Sequence, residues 1–361
     1  MASDLDDLVA FLPPLLRALD ALGLITRHVN PGDVGPALES IGPIDAPLRA
    51  ARPGLDAWPD ALAPIRDRLA ETADIVLQAY DGLAAAAAQP GDMRSAFRAM
   101  GRAPRAMEAL YPLAAGVPPI SRFFLDPARR ADDALVASLA GPPRDDGVPR
   151  SVLHGGGEPG SRGSWSAYVP EYYTPDEPWP LVMALHGGAG NGRNFLWSWL
   201  RDARSFGAIL IAPTAVGDTW SLQGPDIDTP NLMEILGAAR SLWNIDPERL
   251  LLTGMSDGGT FSYVSGLDAA SAFTHLAPAC SSFHPMLAAM ADPGRLAGLP
   301  IHITHGVQDW MFSVDVAREA ELTLAAAGAS VTYREVDGLG HTYPRELNPT
   351  ILRWLMTTDR G

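Results

Sequence analysis

One short motif, GMSDG at residues 254–258, restricts the fold of this chain more than any other feature. An apolar stretch, RLLLT at 249–253, precedes it directly, and a stretch rich in small residues follows from Thr260. These patterns predict a buried strand and then a helix, and G-x-S-x-G in that context is typical of a sharp turn with serine at its tip. Glycine two positions before and after Ser256 removes Cβ atoms that would prevent the turn.

A glycine-rich loop upstream of this motif is suited to stabilise negative charge on a substrate oxygen. LVMAL at 181–185 is a continuous apolar run, as expected for a central parallel strand, and HGGAGNG follows at 186–192. We predict an oxyanion hole formed by the N–H of Asp257 and one amide of this loop, with Gly188 as the first candidate and Ala189 as the second. The loop lacks the Lys-Ser/Thr pair of a phosphate-binding P-loop.

Two further polar residues follow predicted strands near the carboxyl end of the chain. Asp309 comes after PIHIT at 300–304, and His341 comes after a glycine turn that follows VTYREV at 331–336. Catalytic groups of open α/β sheets collect at the carboxyl ends of strands, so we expect both near Ser256. The order Ser, Asp, His predicts His341 as the base that activates serine and Asp309 as the acid that orients the imidazole.

Other acids and histidines compete for these roles. Asp315 is expected in the helix that follows, and Asp337 is expected to cap a turn, so Asp309 is the preferred acid. His302 and His305 precede the acid and lie in or beside a strand, where a histidine more often packs or forms a structural hydrogen bond.

Residues from about 148 to 361 resemble the α/β-hydrolase superfamily. The closest branches are the phospholipase/carboxylesterase branch and the polyhydroxybutyrate-depolymerase/feruloyl-esterase-like branch. The resemblance implies a serine esterase with Ser256, Asp309 and His341 as its triad. It rests on four segments, LHGGAGNG (185–192), NIDPERLLLTGMSDGG (244–259), HGVQD (305–309) and GLGH (338–341).

The rest of the chain predicts two domains. Residues 1–146 show apolar residues at helical spacing between proline-rich connectors, with one helix expected from Met93 to about Leu110, broken near Pro104. This all-α domain is expected to serve packing or oligomerisation, so a homo-oligomer is possible; a cap over the active site and a separate binding module are the alternatives. Strands alternating with helices over 147–361 predict a mostly parallel sheet flanked by helices, as the catalytic domain.

Aromatic and apolar side chains close to the predicted triad favour an apolar acyl pocket. These loops contain no arginine pair and no set of metal ligands, so nothing in them indicates a charged substrate. We therefore expect hydrolysis of small-to-medium carboxylic esters with a short-acyl or aryl group. The candidate substrate-binding residues are Trp310, Met311, Phe283, His284 and Trp220, and Phe312 also follows the acid.

Charge and cysteine content limit the possible partners. The formal charge of −15 argues against nucleic acid. The single cysteine, Cys280, excludes an internal disulfide and a cysteine-based metal cluster, and we expect it to be a small buried residue. Neither a metal nor a cofactor is expected, and the partner is a small-molecule ester.

The protein is expected to be cytoplasmic. Residues 1–7 are acidic, whereas a signal peptide needs positive charge there. The apolar stretch 8–24 is interrupted by Pro13, Pro14, Arg17 and Asp20, so no membrane span is expected.

Three other functions fit the same triad. A serine peptidase of the prolyl-oligopeptidase type usually adds a β-propeller, and nothing before residue 145 has the pattern of strands. A thioesterase or acyltransferase is poorly separated from an esterase by sequence. A scaffold that has lost catalysis is the last alternative, disfavoured by the complete triad.

Overall fold

A computed structural model describes the chain except for residues 1, 29–33, 90–91, 142–143 and 359–361. It divides into two compact units, Met1–Ala140 and Gly141–Gly361. The division falls a little before the boundary that the sequence predicts after residue 146.

Among its described residues, the first unit has helices and connecting turns but no strand. Apolar side chains at helical spacing face its interior, so that Leu15, Leu69 and Leu110 are fully buried. Between Met93 and Leu110 the structure has two helices that meet at Gly101 rather than one broken at Pro104; Pro104 lies in the first turn of the second, where no N–H is needed. The α-helices are α1 Ala2–His28, α2 Val34–Ile41, α3 Ala46–Ala51, α4 Ala63–Ala87, α5 Met93–Met100, α6 Arg102–Leu110, α7 Pro118–Phe123 and α8 Asp133–Leu139.

Helix α1 runs unbroken through Pro13 and Pro14. Over Leu8–Arg27 it is long and apolar enough, by length and composition alone, to cross a membrane, so the expectation that its prolines and charges prevent this was too strong. One face of it is nevertheless buried within the unit, and the Tyr80 hydroxyl of α4 donates a hydrogen bond to the Ala18 carbonyl at 2.7 Å. That burial is typical of a core helix.

The second unit is built on one sheet of eight strands, in the order β1-β2-β4-β3-β5-β6-β7-β8. Strand β2 runs antiparallel to both of its neighbours, and the pairs from β4 to β8 are parallel. The strands are β1 Ser151–Gly155, β2 Trp165–Val169, β3 Trp179–Leu185, β4 Ile209–Pro213, β5 Ile245–Met255, β6 His275–Ala279, β7 Pro300–Gly306 and β8 Ser330–Val336.

Helices on the sheet explain why its central strands are continuous apolar runs. Every residue of β4, β6 and β7 is buried, whereas the edge strand β8 alternates between exposed and partly buried residues. The predicted α/β class, a mostly parallel sheet flanked by helices and preceded by a helical region, is confirmed. The helices of this unit are α9 Gly192–Phe195, α10 Leu200–Phe206, α11 Asp228–Leu242, α12 Asp257–Gly266, α13 Met286–Met290, α14 Pro293–Leu296, α15 Val314–Ala326 and α16 Asn348–Thr357.

Candidate active site

Ser256 stands on a sharp turn between β5 and α12. Its backbone has φ 55° and ψ −121°, a region that residues with a side chain rarely occupy and that marks stored strain. The flanking glycines are required by close packing: a Cβ on Gly254 would lie 2.5 Å from the Gly258 carbonyl carbon, and a Cβ on Gly258 would lie 2.4 Å from the His186 oxygen. The strand, turn and helix that the motif predicts are therefore present, with serine at the tip.

The structure brings Ser256, His341 and Asp309 into one hydrogen-bonded relay. His341 Nε2 is 3.0 Å from the Ser256 hydroxyl oxygen, and His341 Nδ1 is 2.9 and 3.1 Å from the two Asp309 oxygens. The three residues follow β5, β7 and β8, whose parallel carboxyl ends meet at one edge of the sheet. A serine turn directly after β5, in a sheet with this strand order, identifies the fold. The chain has the α/β-hydrolase fold.

Asp309 is held as a charged acceptor. Its side chain is wholly buried, and its Oδ1 accepts hydrogen bonds from the N–H groups of Met311 and Phe312, each at 2.9 Å. Burial alone would raise the pKa of this carboxyl, but the hydrogen bonds from His341, Phe312 and Met311 outweigh it and leave the pKa below its ordinary value. The carboxylate can therefore fix Nδ1–H of His341 and leave Nε2 facing the serine.

Three of the competing residues, Asp337, Asp315 and His302, lie outside the hydrogen-bonded relay. Asp337 is exposed, and Asp315 is exposed in the first turn of α15, where it pairs with Arg318. His302 is buried inside β7 with its ring 5.5 Å from that of Trp354.

Two buried groups lie beside the acid: His305, which the sequence offered as a rival base, and Cys280, which the sequence did not associate with the site. His305 Nε2 lies 3.0 Å from the Phe312 carbonyl and 3.5 Å from Asp309 Oδ2. The Cys280 thiol donates to the Thr342 carbonyl at 3.3 Å, and burial, followed by the nearby Asp309 charge, raises its pKa to about 12. The thiol therefore stays protonated, as a small buried group between the acid and the loop that carries the base.

The glycine loop after β3 lies against the serine turn. A Cβ on Gly187 would be 3.5 Å from the Ser256 Cβ, and one on Gly188 would be 2.7 Å from Asp257 Oδ2. Asp257 is the first residue of α12, so its N–H is one of the four at a helix start that lack a helical acceptor. Within the described chain, the N–H groups of Gly188 and Ala189 donate to no other group. The loop that carries Gly188 and Ala189 thus packs against the turn that carries Ser256 and Asp257.

His186, the first residue of this loop, holds it in place. Its Nε2 accepts a hydrogen bond from Ala215 N–H at 3.1 Å, so Nδ1 carries the proton and donates to the Gly187 carbonyl at 2.7 Å. Burial lowers the pKa of His186 to about 4, which keeps the ring neutral. The sequence could have indicated that His186 orders this loop, because it is a histidine directly after a predicted buried strand and directly before glycines.

Trp220, predicted to bind substrate, is instead a core residue under the loop. It is 2% exposed, its Nε1 donates to the His186 carbonyl at 2.7 Å, and its ring stacks on Phe261 at 5.4 Å between centroids. The loop around it is ordered by buried Asp228, which accepts hydrogen bonds from Val216 and Ser221. Trp220 was assigned to the pocket because sequence alone does not tell a buried aromatic ring from an exposed one.

The other predicted pocket residues separate into two groups. Trp310 and Met311 are 40% and 49% exposed, and the rings of Trp310 and Phe312 lie 5.8 and 5.4 Å from that of His341. Phe283, by contrast, is buried against Tyr263, so the structure places it in the core.

His284 is exposed, and its Nδ1 accepts a hydrogen bond from Met286 N–H at 3.1 Å. Among the residues that the structure describes, no group of three or more His, Cys, Asp or Glu side chains is placed to hold a metal ion.

Comparisons with known proteins found one curated relative and several solved structures that are similar to part of this chain. No family model matches the chain. A bifunctional acetylxylan esterase/xylanase from Neocallimastix patriciarum is 30% identical over 146 residues, which are 39% of this chain and 21% of that protein. The chain therefore spans well under two thirds of that relative's length.

Solved structures with a similar fold carry similar descriptions. A thermostable esterase is 22% identical with a TM-score of 0.48, over 58% of this chain and 64% of its own. A ferulic acid esterase is 16% identical with a TM-score of 0.47, over 58% of this chain and 98% of its own. A truncated carbohydrate esterase from gut microbiota is 13% identical with a TM-score of 0.48, over 60% of this chain and 99% of its own.

Proposed function

We propose that this chain is a serine hydrolase of carboxylic esters. The observation that carries the proposal is the relay itself: a strained, nearly buried serine whose hydroxyl is 3.0 Å from a histidine that a buried carboxylate orients. A serine hydroxyl is a weak nucleophile until a neighbouring base takes its proton, and this arrangement supplies that base.

In the acylation step, the Ser256 oxygen attacks the ester carbonyl carbon while His341 Nε2 accepts the serine proton. Asp309 stabilises the imidazolium that forms. The negative charge on the former carbonyl oxygen is stabilised by the N–H groups of Asp257 and Gly188, with Ala189 as the alternative second donor. Collapse of this intermediate breaks the bond to the alcohol, which takes the proton from His341 and leaves an acyl-enzyme.

Deacylation repeats these steps with water as the nucleophile. His341 Nε2 takes a proton from the water molecule as its oxygen attacks the acyl carbonyl carbon, and the same N–H groups hold the oxyanion. The second intermediate then releases the carboxylic acid, and the proton returns from His341 to the Ser256 oxygen. The relay therefore supplies a base in each half of the reaction and an acid for each leaving group.

The surroundings of the relay favour small-to-medium esters with a short acyl or aryl group. Trp310 and Met311 offer exposed apolar surface beside His341, which suits an apolar alcohol or acyl group. The name of the relative from Neocallimastix patriciarum includes acetyl esters, which are short-acyl esters. The described residues before Gly141 are helical and form no propeller blades, so the peptidase alternative gains no support.

Hydrolysis of p-nitrophenyl acetate and butyrate tests this proposal. Ser256→Ala should lower kcat by about 10⁶-fold, because the nucleophile is removed and only binding and oxyanion stabilisation remain. The matched control is Ser241→Ala, in which the lost hydroxyl lies on exposed α11 and bonds only to the Ala238 carbonyl; its kcat should equal that of the unmodified protein. Full activity in Ser256→Ala would refute the assignment of the nucleophile.

A further inference from the structure

The side chain of Asp257 places a carboxylate at the edge of the proposed oxyanion hole. Its Oδ2 lies 2.7 Å from the point where a Cβ on Gly188 would stand, so the carboxylate contacts the residue that carries the first candidate donor. The side chain is partly exposed rather than sealed in the core. The carboxylate therefore lies next to the loop that would hold the carbonyl oxygen of a substrate.

The carboxylate is fixed but only half satisfied. Thr219 Oγ1 donates a hydrogen bond to Asp257 Oδ2 at 2.5 Å, and no bond to Oδ1 is found in the described part of the chain. An ionised carboxylate has acceptor sites on both oxygens, so Oδ1 is left for a donor from outside. The partner threonine holds the group in one orientation.

The described residues form no ion pair with this carboxylate. Asp218, next to Thr219, is exposed and adds negative charge. Arg162 approaches the other end of the loop, where its guanidinium donates to the Gly190 carbonyl at 3.4 Å. The Asp257 carboxylate therefore repels the negative charge that forms on the substrate's carbonyl oxygen. A cationic group of the substrate, placed between the carboxylate and that oxygen, relieves the repulsion.

We propose that Asp257 determines specificity by binding a cationic group on the acyl side of the ester, of the kind carried by the α-ammonium of an aminoacyl ester. The α-nitrogen of such an ester is bonded to the carbon next to the scissile carbonyl, so it lies within reach of a group beside the oxyanion hole. An anionic acyl group would meet like charge at the same place. The inference rests on the proposed esterase function.

Four benzyl esters test the inference: those of L-alanine, L-lactic acid, propionic acid and succinic acid as its monoester. On the acyl side, the alanine ester carries an ammonium group and the lactate ester a hydroxyl. The propionate ester has no hydrogen-bond donor there, and the succinate monoester carries a carboxylate. At pH about 6.5 the α-amino group is mostly protonated, since its ordinary pKa is about 7.7. The expected order of kcat/KM is alanine, lactate, propionate and then succinate.

Asp257→Asn should lower the alanine-to-propionate ratio of kcat/KM about tenfold, the size of a hydrogen bond to a charged group. Asp218→Asn is the matched control: it removes a nearby exposed charge and should leave the ratio within about twofold. Thr219→Val should lower the ratio by freeing the carboxylate, and Thr219→Ser should preserve it. In the unmodified protein, added salt should reduce the alanine preference, which gives a readout independent of any variant's folding.

An unchanged ratio in Asp257→Asn, together with a salt-independent ratio in the unmodified protein, would overturn the inference. The proposed function would survive that result if the propionate ester is still hydrolysed in a Ser256-dependent way. If the unmodified protein hydrolyses none of the four esters and its serine is not labelled by a fluorophosphonate, the proposed function fails and the specificity assignment fails with it.

Discussion

Replacing Gly258 by alanine tests whether the serine turn depends on close backbone packing. The new Cβ would lie 2.4 Å from the His186 oxygen and 2.5 Å from the Leu185 oxygen, both backbone atoms at the end of β3. Neither can rotate away, so α12 and β3 must separate by about 1 Å, which costs about 1–3 kcal/mol of unfolding free energy. Because that separation moves Ser256 relative to the glycine loop, kcat/KM should fall about 100-fold.

Urea denaturation followed by tryptophan fluorescence measures the stability part. Only Trp58 of the nine tryptophans precedes residue 141, so the signal reports mainly on the second unit. The matched control is Gly237→Ala on the exposed side of α11, where a Cβ meets nothing within 4 Å; it should stabilise the protein by about 1 kcal/mol and leave kcat/KM unchanged. A Gly258→Ala protein as stable and active as the unmodified one would refute the packing argument.

Three other perturbations have definite expected outcomes. Asp309→Asn should lower kcat about 10⁴-fold by favouring the wrong tautomer of the base, while Asp315→Asn should not, in the same ester assay. The contribution of neutral His186 to the unfolding free energy should be complete above pH 6.5 and should fall by about 3 kcal/mol as the pH is lowered toward about 4, because only the unfolded chain binds the proton in that range. Urea titrations at several pH values measure this loss. The same pH dependence in His186→Gln would contradict the assignment. Trp220→Phe should lower the unfolding free energy by about 1 kcal/mol, because it removes one buried hydrogen bond. A change in acyl-chain selectivity without loss of stability would instead show that Trp220 lines the substrate pocket.

The sequence predicted the site where local geometry dictates the residue types. Only small residues fit beside a serine with φ 55°, so the glycines at 254 and 258 marked the turn before any tertiary information was needed. The positions of Asp309 and His341 followed from a second local rule, that loops after parallel strands meet at one edge of the sheet.

Residues that depend on tertiary contacts were not predictable in this way. His305 and Cys280 stand behind the acid because β6 and β7 are neighbours in the sheet, a fact that sequence spacing does not reveal. Trp220 and Phe283 were placed in the pocket because aromatic side chains near a site can face either the core or the substrate, and burial alone distinguishes them.

Fluorophosphonate labelling with intact-mass analysis tests whether Ser256, His341 and Asp309 act as one relay, because the probe reacts preferentially with a serine that a neighbouring base has activated. We expect one adduct per chain, mapped to Ser256 by peptide sequencing, and none in Ser256→Ala or His341→Ala. An adduct on another residue, or equal labelling of the His341→Ala protein, would contradict the relay of Ser256, His341 and Asp309.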